Sequence, residues 1–485
     1  MHRVVAGLLI MTVATFGLGG CASKGDIYRD VQGSRLRAYQ DWQRQRQTNE
    51  RDETFVKGYL SLQDAFKLTL QHSKTLRAAI EEREAARGMK LASYSAILPG
   101  VTAGADYTRL DRVSSFRVGD IRVEAGDLDN YSVNLTVVQP IFQGGAIPAR
   151  LQLGKLAKLL GEESVRLAMQ EVTFELARSY YDVLLNQHMH AISVDAVESS
   201  RANLESVRQK REAGIASDFD VLRAQVDLSN SEADLIQSRN AVSMSKTRLL
   251  RVMGVSQDSE VELSDELVYR TASTDLEQAV ATAWQQRPEL MQSELQVRSL
   301  KENLRISESA WFPRVSGTYV NRWARPDPHD SRAIDWGHAW TAGVSMRMDL
   351  FTGFAREGQI AEDKARLRQA RIALLDTQET VMLQLRQAIL SIADAAEFVQ
   401  SQKLNLERAS EGLRLAEVGY TEGVKTQVEV LDARAALTRA SSLHYQAIYS
   451  HVMAKLSLQR AMGILSARDF AGNDEQSYNM EGNEK

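Results

Sequence analysis

Residues 340–353 read WTAGVSMRMDLFTG, and the pattern of the chain changes at the end of this stretch. Up to Leu350, apolar side chains alternate with small or polar ones, which predicts a β-strand over 340–350. Beyond Gly353 the alternation stops, and apolar residues follow at intervals of seven: Ile360, Leu367, Leu374, Val381, Ala388 and Ala395. This interval is typical of a coiled-coil seam, so we expect one helix over 354–420, roughly 100 Å long at ~1.5 Å per residue.

The first half of the chain contains the same succession of patterns. Pairs of identical residues lie 209 positions apart: Phe142/Phe351, Gly144/Gly353, Gly214/Gly423, Leu222/Leu431 and Gly254/Gly463. Pro99 and Pro313 are 214 positions apart. A repeat of this length exceeds the ~20–50 residues of solenoid units. We therefore predict a duplicated half-architecture, with repeats at 58–254 and 274–464, a linker at 255–273 and a polar tail at 465–485.

Each repeat is predicted to contain one pair of strands and three long helical segments. The strands fall at 100–110, 130–140, 314–323 and 340–350. The helical segments fall at 73–98, 147–212, 217–254, 288–312, 354–420 and 425–463. In each half the two shorter segments together have about the same length as the long one. Stacked end to end, they would form a second column beside it. The predicted fold class is mainly α with transmembrane β, with four coiled-coil-like helical columns and four strands per chain.

The predicted strands have the length of outer-membrane strands, about ten residues, with Tyr and Trp placed for interfacial girdles. Periodicity alone fits soluble hairpins packed on helices almost as well. If the strands span a membrane, the sheet cannot leave open edges in lipid, because edge backbone groups would lack partners. The smallest outer-membrane barrels have about eight strands, so four per chain require at least a dimer, and a trimer would supply twelve.

The N-terminal segment has the features of an export signal. Residues 1–20 contain a short basic start, an apolar run and small residues before Cys21, and the run is too short for a spanning helix. The small residues and Cys21 resemble the bacterial lipobox, in which the cysteine is lipidated, and Ala22 favours outer-membrane sorting. An ordinary signal peptide with an incidental cysteine is the alternative. Residues 22–55 are polar and predict an extended segment, so that 21–57 would be a lipidated tether.

Composition excludes several classes of function. The chain has 59 basic and 63 acidic residues, which gives no electrostatic footprint for nucleic acid. The sequence shows no catalytic constellation and no phosphate-binding loop, so we predict neither an enzyme nor a cofactor site. His188 and His190 are two positions apart on a predicted helix and face different directions, which disfavours a metal site.

Several motifs resemble the TolC-type outer-membrane efflux protein family, and more closely its lipoprotein branch, the outer-membrane component of tripartite efflux pumps. They are LPG at 98–100, FPR at 312–314, VQPIF at 138–142, AGIAS at 213–217, and GYTEG at 419–423 leading into VEVLDA at 428–433. The resemblance covers about residues 58–464. It implies a homotrimer with a twelve-stranded β-barrel in the outer membrane on a twelve-helix α-barrel through the periplasm.

The same resemblance implies partners and a gate. The partners would be a periplasmic adaptor (membrane fusion) protein, an inner-membrane transporter of RND or ABC type, and outer-membrane lipid. Tyr420 and Lys425 match positions that tie the periplasmic tip closed, and Asp220 matches one of their partners. Tyr420 as a packing residue and Asp220 as a helix cap are the alternatives.

The resemblance also implies an acidic constriction ring formed by Glu429 and Asp432, where three copies would place six carboxylates around one opening and favour cations. Both residues could instead be first-turn acids that stabilise the helix dipole. The expected function is a passive exit duct in the bacterial outer membrane, lipid-anchored and extending into the periplasm, that expels small molecules. The alternatives are a type I protein secretion channel and a non-conducting envelope scaffold lipoprotein.

Overall fold

The computed structural model describes residues 24–48, 54–271, 275–330 and 334–465. The predicted signal peptide, the lipidation site Cys21 and the predicted tail beyond Leu465 lie outside the described residues.

Long helices make up most of the described chain. Their bounds are α1 Lys24–Thr48, α2 Leu62–His72, α3 Lys74–Ser93, α4 Ala146–Glu212, α5 Asp218–Met253, α6 Leu276–Gln286, α7 Pro288–Glu308, α8 Ala355–Thr421 and α9 Gln427–Ala461. Helices α4 and α8 have 67 residues each, so each is roughly 100 Å long at ~1.5 Å per residue. No helix in the described ranges has the length and apolarity needed to cross a membrane.

The strands form one large sheet and two small ones. Their bounds are β1 Lys57–Leu60, β2 Gly100–Arg109, β3 Ser114–Val118, β4 Ile121–Ala125, β5 Asp129–Gln143, β6 Glu260–Leu263, β7 Arg314–Arg325 and β8 Gly337–Arg347. The large sheet has the order β2-β5-β7-β8, with every neighbouring pair antiparallel. One hairpin from each half of the chain therefore contributes to a single sheet.

The strand bounds differ from the prediction where the pairing register sets them. Strand β8 lies at 337–347 instead of 340–350, because Arg347 pairs with Arg314, the first residue of β7, and the residues beyond it have no β7 partner. Strand β5 continues past 140 to Gln143. A register shift between Pro140 and Phe142 lets it keep pairing with β7 as far as Arg314, the first residue of β7. Such an irregularity accommodates a proline, which cannot donate a ladder hydrogen bond.

Three parts of the fold were not predicted. Residues 24–48 form helix α1 instead of an extended tether, since the segment lacks proline and is rich in Arg, Gln and other good helix formers. The loop between the first two strands contains the β3–β4 hairpin, which turns at Gly119 with φ +65°. Strands β1 and β6 pair in parallel, which joins the N-terminal segment to the inter-repeat linker.

The core lies halfway along the helical columns. Its largest fully buried side chains come from α4 and α5: Leu176, Tyr180, Val183, Leu249, Leu250 and Met253. The Tyr180 hydroxyl donates to a neighbouring oxygen and lies 2.8 Å from the Leu60 carbonyl and 2.7 Å from the Asp265 carboxylate. This core therefore ties the β1–β6 sheet to the long helix α4. A second, smaller cluster joins α6, α8 and α9 around Leu385.

Candidate functional site

The candidate site lies at the far end of the columns, where the chain reverses twice. The first tip turn is 213–217, between α4 and α5, and the second is 422–426, between α8 and α9. Gly214 has φ +76° and Gly423 has φ +75°, a left-handed conformation that glycine adopts without a side-chain clash. In the first turn the Ile215 amide donates to the Lys210 carbonyl at 2.8 Å, and in the second the Val424 amide donates to the Gly419 carbonyl at 2.8 Å. The two turns share one backbone design.

Each tip turn leads into a helix whose N-terminus has a capping box. In the first, Asp220 accepts from the Ser217 amide at 2.9 Å and from its hydroxyl at 2.7 Å. In the second, Glu429 accepts from the Thr426 amide at 2.8 Å and from its hydroxyl at 3.1 Å. The capping residues Ser217 and Thr426 in turn accept from the amides of Asp220 and Glu429. Asp220 and Glu429 therefore each cap the N-terminus of their own helix.

Hydrogen bonding lowers the pKa of both capping carboxylates. The Lys425 ammonium and the Thr426 amide together lower the pKa of Glu429 to about 2. The Ser217 amide and hydroxyl lower the pKa of Asp220. Both groups are accordingly ionised at neutral pH, and their charge is directed towards backbone amides and Lys425.

Lys425 is held inside its own turn. Its Nζ donates to Glu429 Oε1 at 2.6 Å, and both side chains are exposed. The stem of Lys425 crosses Gly419, since a Cβ built on that glycine would lie 2.5 Å from Lys425 Cγ. Within one chain, Lys425 therefore contacts Glu429 rather than Asp220.

Tyr420 lies between the two tip turns and is half-buried. The Nζ of Lys210, on α4, lies 3.6 Å from the centroid of the Tyr420 ring. Burial raises the pKa of Tyr420, and the negative charge of Asp220 raises it further. The structure thus places Tyr420 near enough to Asp220 for the carboxylate to raise the pKa of the phenol, and it places Lys210 over the ring.

Two further side chains, those of Gln427 and Arg434, join the helices near the tip. The buried Gln427 donates from Nε2 to the Asp220 carbonyl at 3.4 Å. Arg434, on α9, donates to the Ser199 carbonyl of α4 at 3.0 Å and to the Glu417 carboxylate of α8 at 3.0 Å. Lys210, Gln427 and Arg434 were not predicted, although the resemblance had already placed the gate at this tip.

Asp432, the second predicted ring residue, is exposed on α9. It lies three positions after Glu429 and so on the same helix face. The two predicted ring acids therefore differ: Glu429 is engaged by Thr426 and Lys425, whereas the structure gives Asp432 no hydrogen bond or ion pair among the described residues.

The described residues contain no group of three or more potential metal ligands. His188 stacks on the Tyr445 ring with centroids 4.0 Å apart, and His190 contacts the Ser238 hydroxyl at 3.1 Å. The two histidines thus have separate partners on separate faces of α4.

Comparison with known proteins identifies the family. The family described as outer membrane efflux protein matches residues 65–255 and 279–464, which is more than half of the chain. The chain belongs to this family. Its relatives include the alkaline protease secretion protein AprF of Pseudomonas aeruginosa, 23% identical over 429 residues that cover 87% of each chain. The outer membrane protein TolC of Vibrio cholerae is 21% identical, over 84% of this chain and 92% of the relative.

The fold is likewise that of the TolC-type channels. The solved outer-membrane channel OprN superposes with a TM-score of 0.73 at 20% identity, covering 83% of this chain and 89% of that chain. This likeness confirms the predicted fold class. Since the family consists of passive outer-membrane channels, the chain is an outer-membrane efflux duct and not an enzyme. The lipoprotein branch stays a prediction.

Proposed function

We propose that three copies of this chain form a closed exit duct, which expels small molecules handed over by a periplasmic adaptor and an inner-membrane transporter. The observation that carries this proposal is the pair of free edges of the four-stranded sheet. Strand β2 pairs only with β5, and strand β8 only with β7, within the described part of the chain. Edge backbone groups cannot remain unpaired in lipid, so other copies of the chain must cover both edges.

The two edges suit each other in length and direction. Strand β2 has 10 residues and strand β8 has 11. Because neighbouring strands alternate in direction through the sheet, β8 of one copy would pair antiparallel with β2 of the next. Three copies would close the ring with twelve strands, and the resemblance to TolC-type proteins favours this number over two.

The gate belongs at the tip turns in this proposal. Tyr420, Lys425 and Asp220 would hold the closed state, and opening would separate the hairpin of α4 and α5 from the hairpin of α8 and α9. Asp432 would line the narrowest opening. Glu429 would contribute less to the ring than the resemblance implies, because Lys425 neutralises it at 2.6 Å. A ring of three free carboxylates still favours cations over anions.

The test is to purify the full-length chain in detergent, measure its mass and reconstitute it in a planar lipid bilayer. A trimeric mass with a small ion current, which rises when the tip contacts are cut, is expected. A monomer, or a trimer that never passes current, would contradict the duct and favour the scaffold lipoprotein.

Protein secretion remains the second candidate, because AprF, which matches over most of its length, is named for the secretion of a protease. Deleting the gene in its own bacterium separates the two. A small-molecule duct predicts greater sensitivity to toxic compounds with an unchanged set of secreted proteins. Loss of one secreted protein at unchanged sensitivity would favour secretion.

Lipid anchoring at Cys21 is a separate part of the proposal. Labelling growing cells with a radioactive fatty acid should mark the wild-type chain, and the Cys21→Ser variant should stay unlabelled. Equal labelling of both would contradict an anchor at this cysteine.

A further inference from the structure

We infer that Lys210 is a positioning residue of the gate, which holds the aromatic ring of Tyr420 and so keeps the two helical hairpins of one chain together at the tip. The first hairpin is α4 with α5, and the second is α8 with α9. The inference rests on the proposed function, since it adds a residue to the gate of the duct. The contact lies on the face of the ring.

The geometry is that of a cation over an aromatic face. Lys210 Nζ lies 3.6 Å from the centroid of the Tyr420 ring, well inside the ~6 Å over which such contacts attract. Both side chains are half-buried, so water screens the attraction only in part. Lys210 belongs to the last turn of α4 and Tyr420 to the last turn of α8, so this contact crosses from one hairpin to the other.

The other candidate partners of Tyr420 are engaged elsewhere. The Asp220 carboxylate accepts from the amide and hydroxyl of Ser217. The Lys425 ammonium donates to Glu429. Within one chain, in the part that the structure describes, the contact with Lys210 therefore joins Tyr420 to the other hairpin.

The duplication makes this contact unique within the chain. At the offset of 209 residues, Gly419 is the counterpart of Lys210 and Arg211 is the counterpart of Tyr420. A glycine and an arginine cannot repeat the pair. Arg211 instead binds Asp218 at 2.7 Å, inside the first hairpin. Each chain therefore has one such link, and three copies would have three.

Lys210 could also act only as a basic residue that stabilises the C-terminal end of α4 through the helix dipole. The two roles make different demands on the partner. A dipole effect does not depend on the side chain at position 420, whereas the proposed contact needs an aromatic ring there.

The experiment measures ion current through the full-length protein in planar bilayers for six variants. Lys210→Gln and Tyr420→Leu should each raise the mean current, on the order of tenfold for three links lost. Lys210→Arg keeps the cation, so its current should rise less than that of Lys210→Gln. Tyr420→Phe keeps the ring, so its current should rise less than that of Tyr420→Leu. The variant Lys210→Gln with Tyr420→Leu should pass no more current than either single change, because both remove the same contact. Arg211→Gln is the matched control, since it removes a charge next to Lys210 without touching the other hairpin.

The outcomes separate this inference from the duct itself. A current that rises as much in Tyr420→Phe as in Tyr420→Leu would overturn it and assign the gate to the hydroxyl. A current unchanged in Lys210→Gln would overturn it too. Absence of current in every variant would contradict the duct instead. The mass of each variant in detergent and its melting temperature should equal the wild-type values. This control excludes misfolding as the cause of a changed current.

Discussion

Asp220 and Glu429 lie 209 residues apart and hold the same structural position, because each is the third residue of its helix and accepts hydrogen bonds from the residue that caps that helix. The duplication has thus preserved one capping design at both tip turns. It has changed what lies around the two caps. Lys425 binds Glu429, whereas its counterpart Ala216 offers Asp220 no charge.

Removing a cap should loosen one tip turn and leave the rest of the protein intact. Ser217→Ala or Thr426→Ala should cost about 1 kcal/mol of local stability, because the first-turn amides of α5 or α9 lose an acceptor. Hydrogen–deuterium exchange should show faster exchange of the amides that follow the altered cap. Ser442→Ala is the control, since that hydroxyl bonds the Thr438 carbonyl within α9 and caps nothing. Equal exchange in the cap variants and the control would contradict the assignment.

The same caps should weaken in acid. The pKa of Asp220 and that of Glu429 are lowered in the folded chain, so ionisation of both stabilises the caps. This contribution is complete above the ordinary carboxyl pKa of about 4 and is lost as the pH falls through the lowered values, about 2 for Glu429. Amide exchange at both turns, corrected for its intrinsic pH dependence, should rise in this window. Protection that is unchanged down to pH 2 would argue against ionised caps.

Halfway along the columns, a buried histidine should make the core sensitive to mild acid. His451 is 1% exposed and packs edge-on against the Tyr269 ring, with centroids 4.6 Å apart. Burial lowers the pKa of His451, and the positive charge of Lys455 lowers it further. The neutral form is therefore favoured by folding, and the stability it brings is present above the ordinary histidine pKa of about 6.5 and lost as the pH falls through the lowered value.

The melting temperature should accordingly fall between pH 7.5 and pH 5. His451→Leu replaces the imidazole with an apolar side chain of similar size and should reduce the pH dependence of the melting temperature. His444 and His188 also have lowered pKa values, chiefly through burial, so part of the dependence should remain. An identical pH profile in wild type and His451→Leu would show that this histidine does not titrate with unfolding.

Close packing of the columns should make Gly161 of α4 costly to replace. A Cβ on Gly161 of α4 would lie 2.8 Å from the Ala86 Cβ and 3.2 Å from the Arg83 Cα of α3. Gly161→Ala should force the two helices apart and cost about 1–3 kcal/mol. Gly412→Ala, in α8 with nothing within 4 Å, should stabilise the chain by about 1 kcal/mol through helix propensity. Melting temperatures that move together in the two variants would contradict this packing.

Local patterns predicted most of the fold, and long-range pairing accounts for what they missed. Glycines and prolines at the ends of the long helices gave bounds within a few residues, because those residues act through the local backbone. The strand pair of Lys57–Leu60 with Glu260–Leu263 joins short segments some 200 positions apart, and no periodicity in four residues reveals it. The end of β8 depended on where β7 begins, which is a property of the register and not of the strand itself.

The candidate site was predictable as a place but not as a set of contacts. The repeat offset located both tip turns, and the resemblance supplied Tyr420, Lys425, Asp220, Glu429 and Asp432. For Glu429 the sequence left open a place in the constriction ring and a role as a first-turn acid. The helix cap that Glu429 makes with Thr426, and its contact with Lys425, depend on side-chain positions that the sequence does not reveal. Lys210 was not predicted because its partner, Tyr420, lies on another helix and is distant in the sequence.

We propose that ions and solutes enter the duct through a tip opening whose charge comes from Asp432. The direct measurement is the reversal potential of the full-length channel under a salt gradient. Asp432→Asn should clearly reduce the preference for cations. The paired change Lys425→Gln with Glu429→Gln removes two charges that cancel at 2.6 Å, so it should leave the preference at the wild-type value. Unchanged selectivity in Asp432→Asn, or its loss only in the paired variant, would contradict the account.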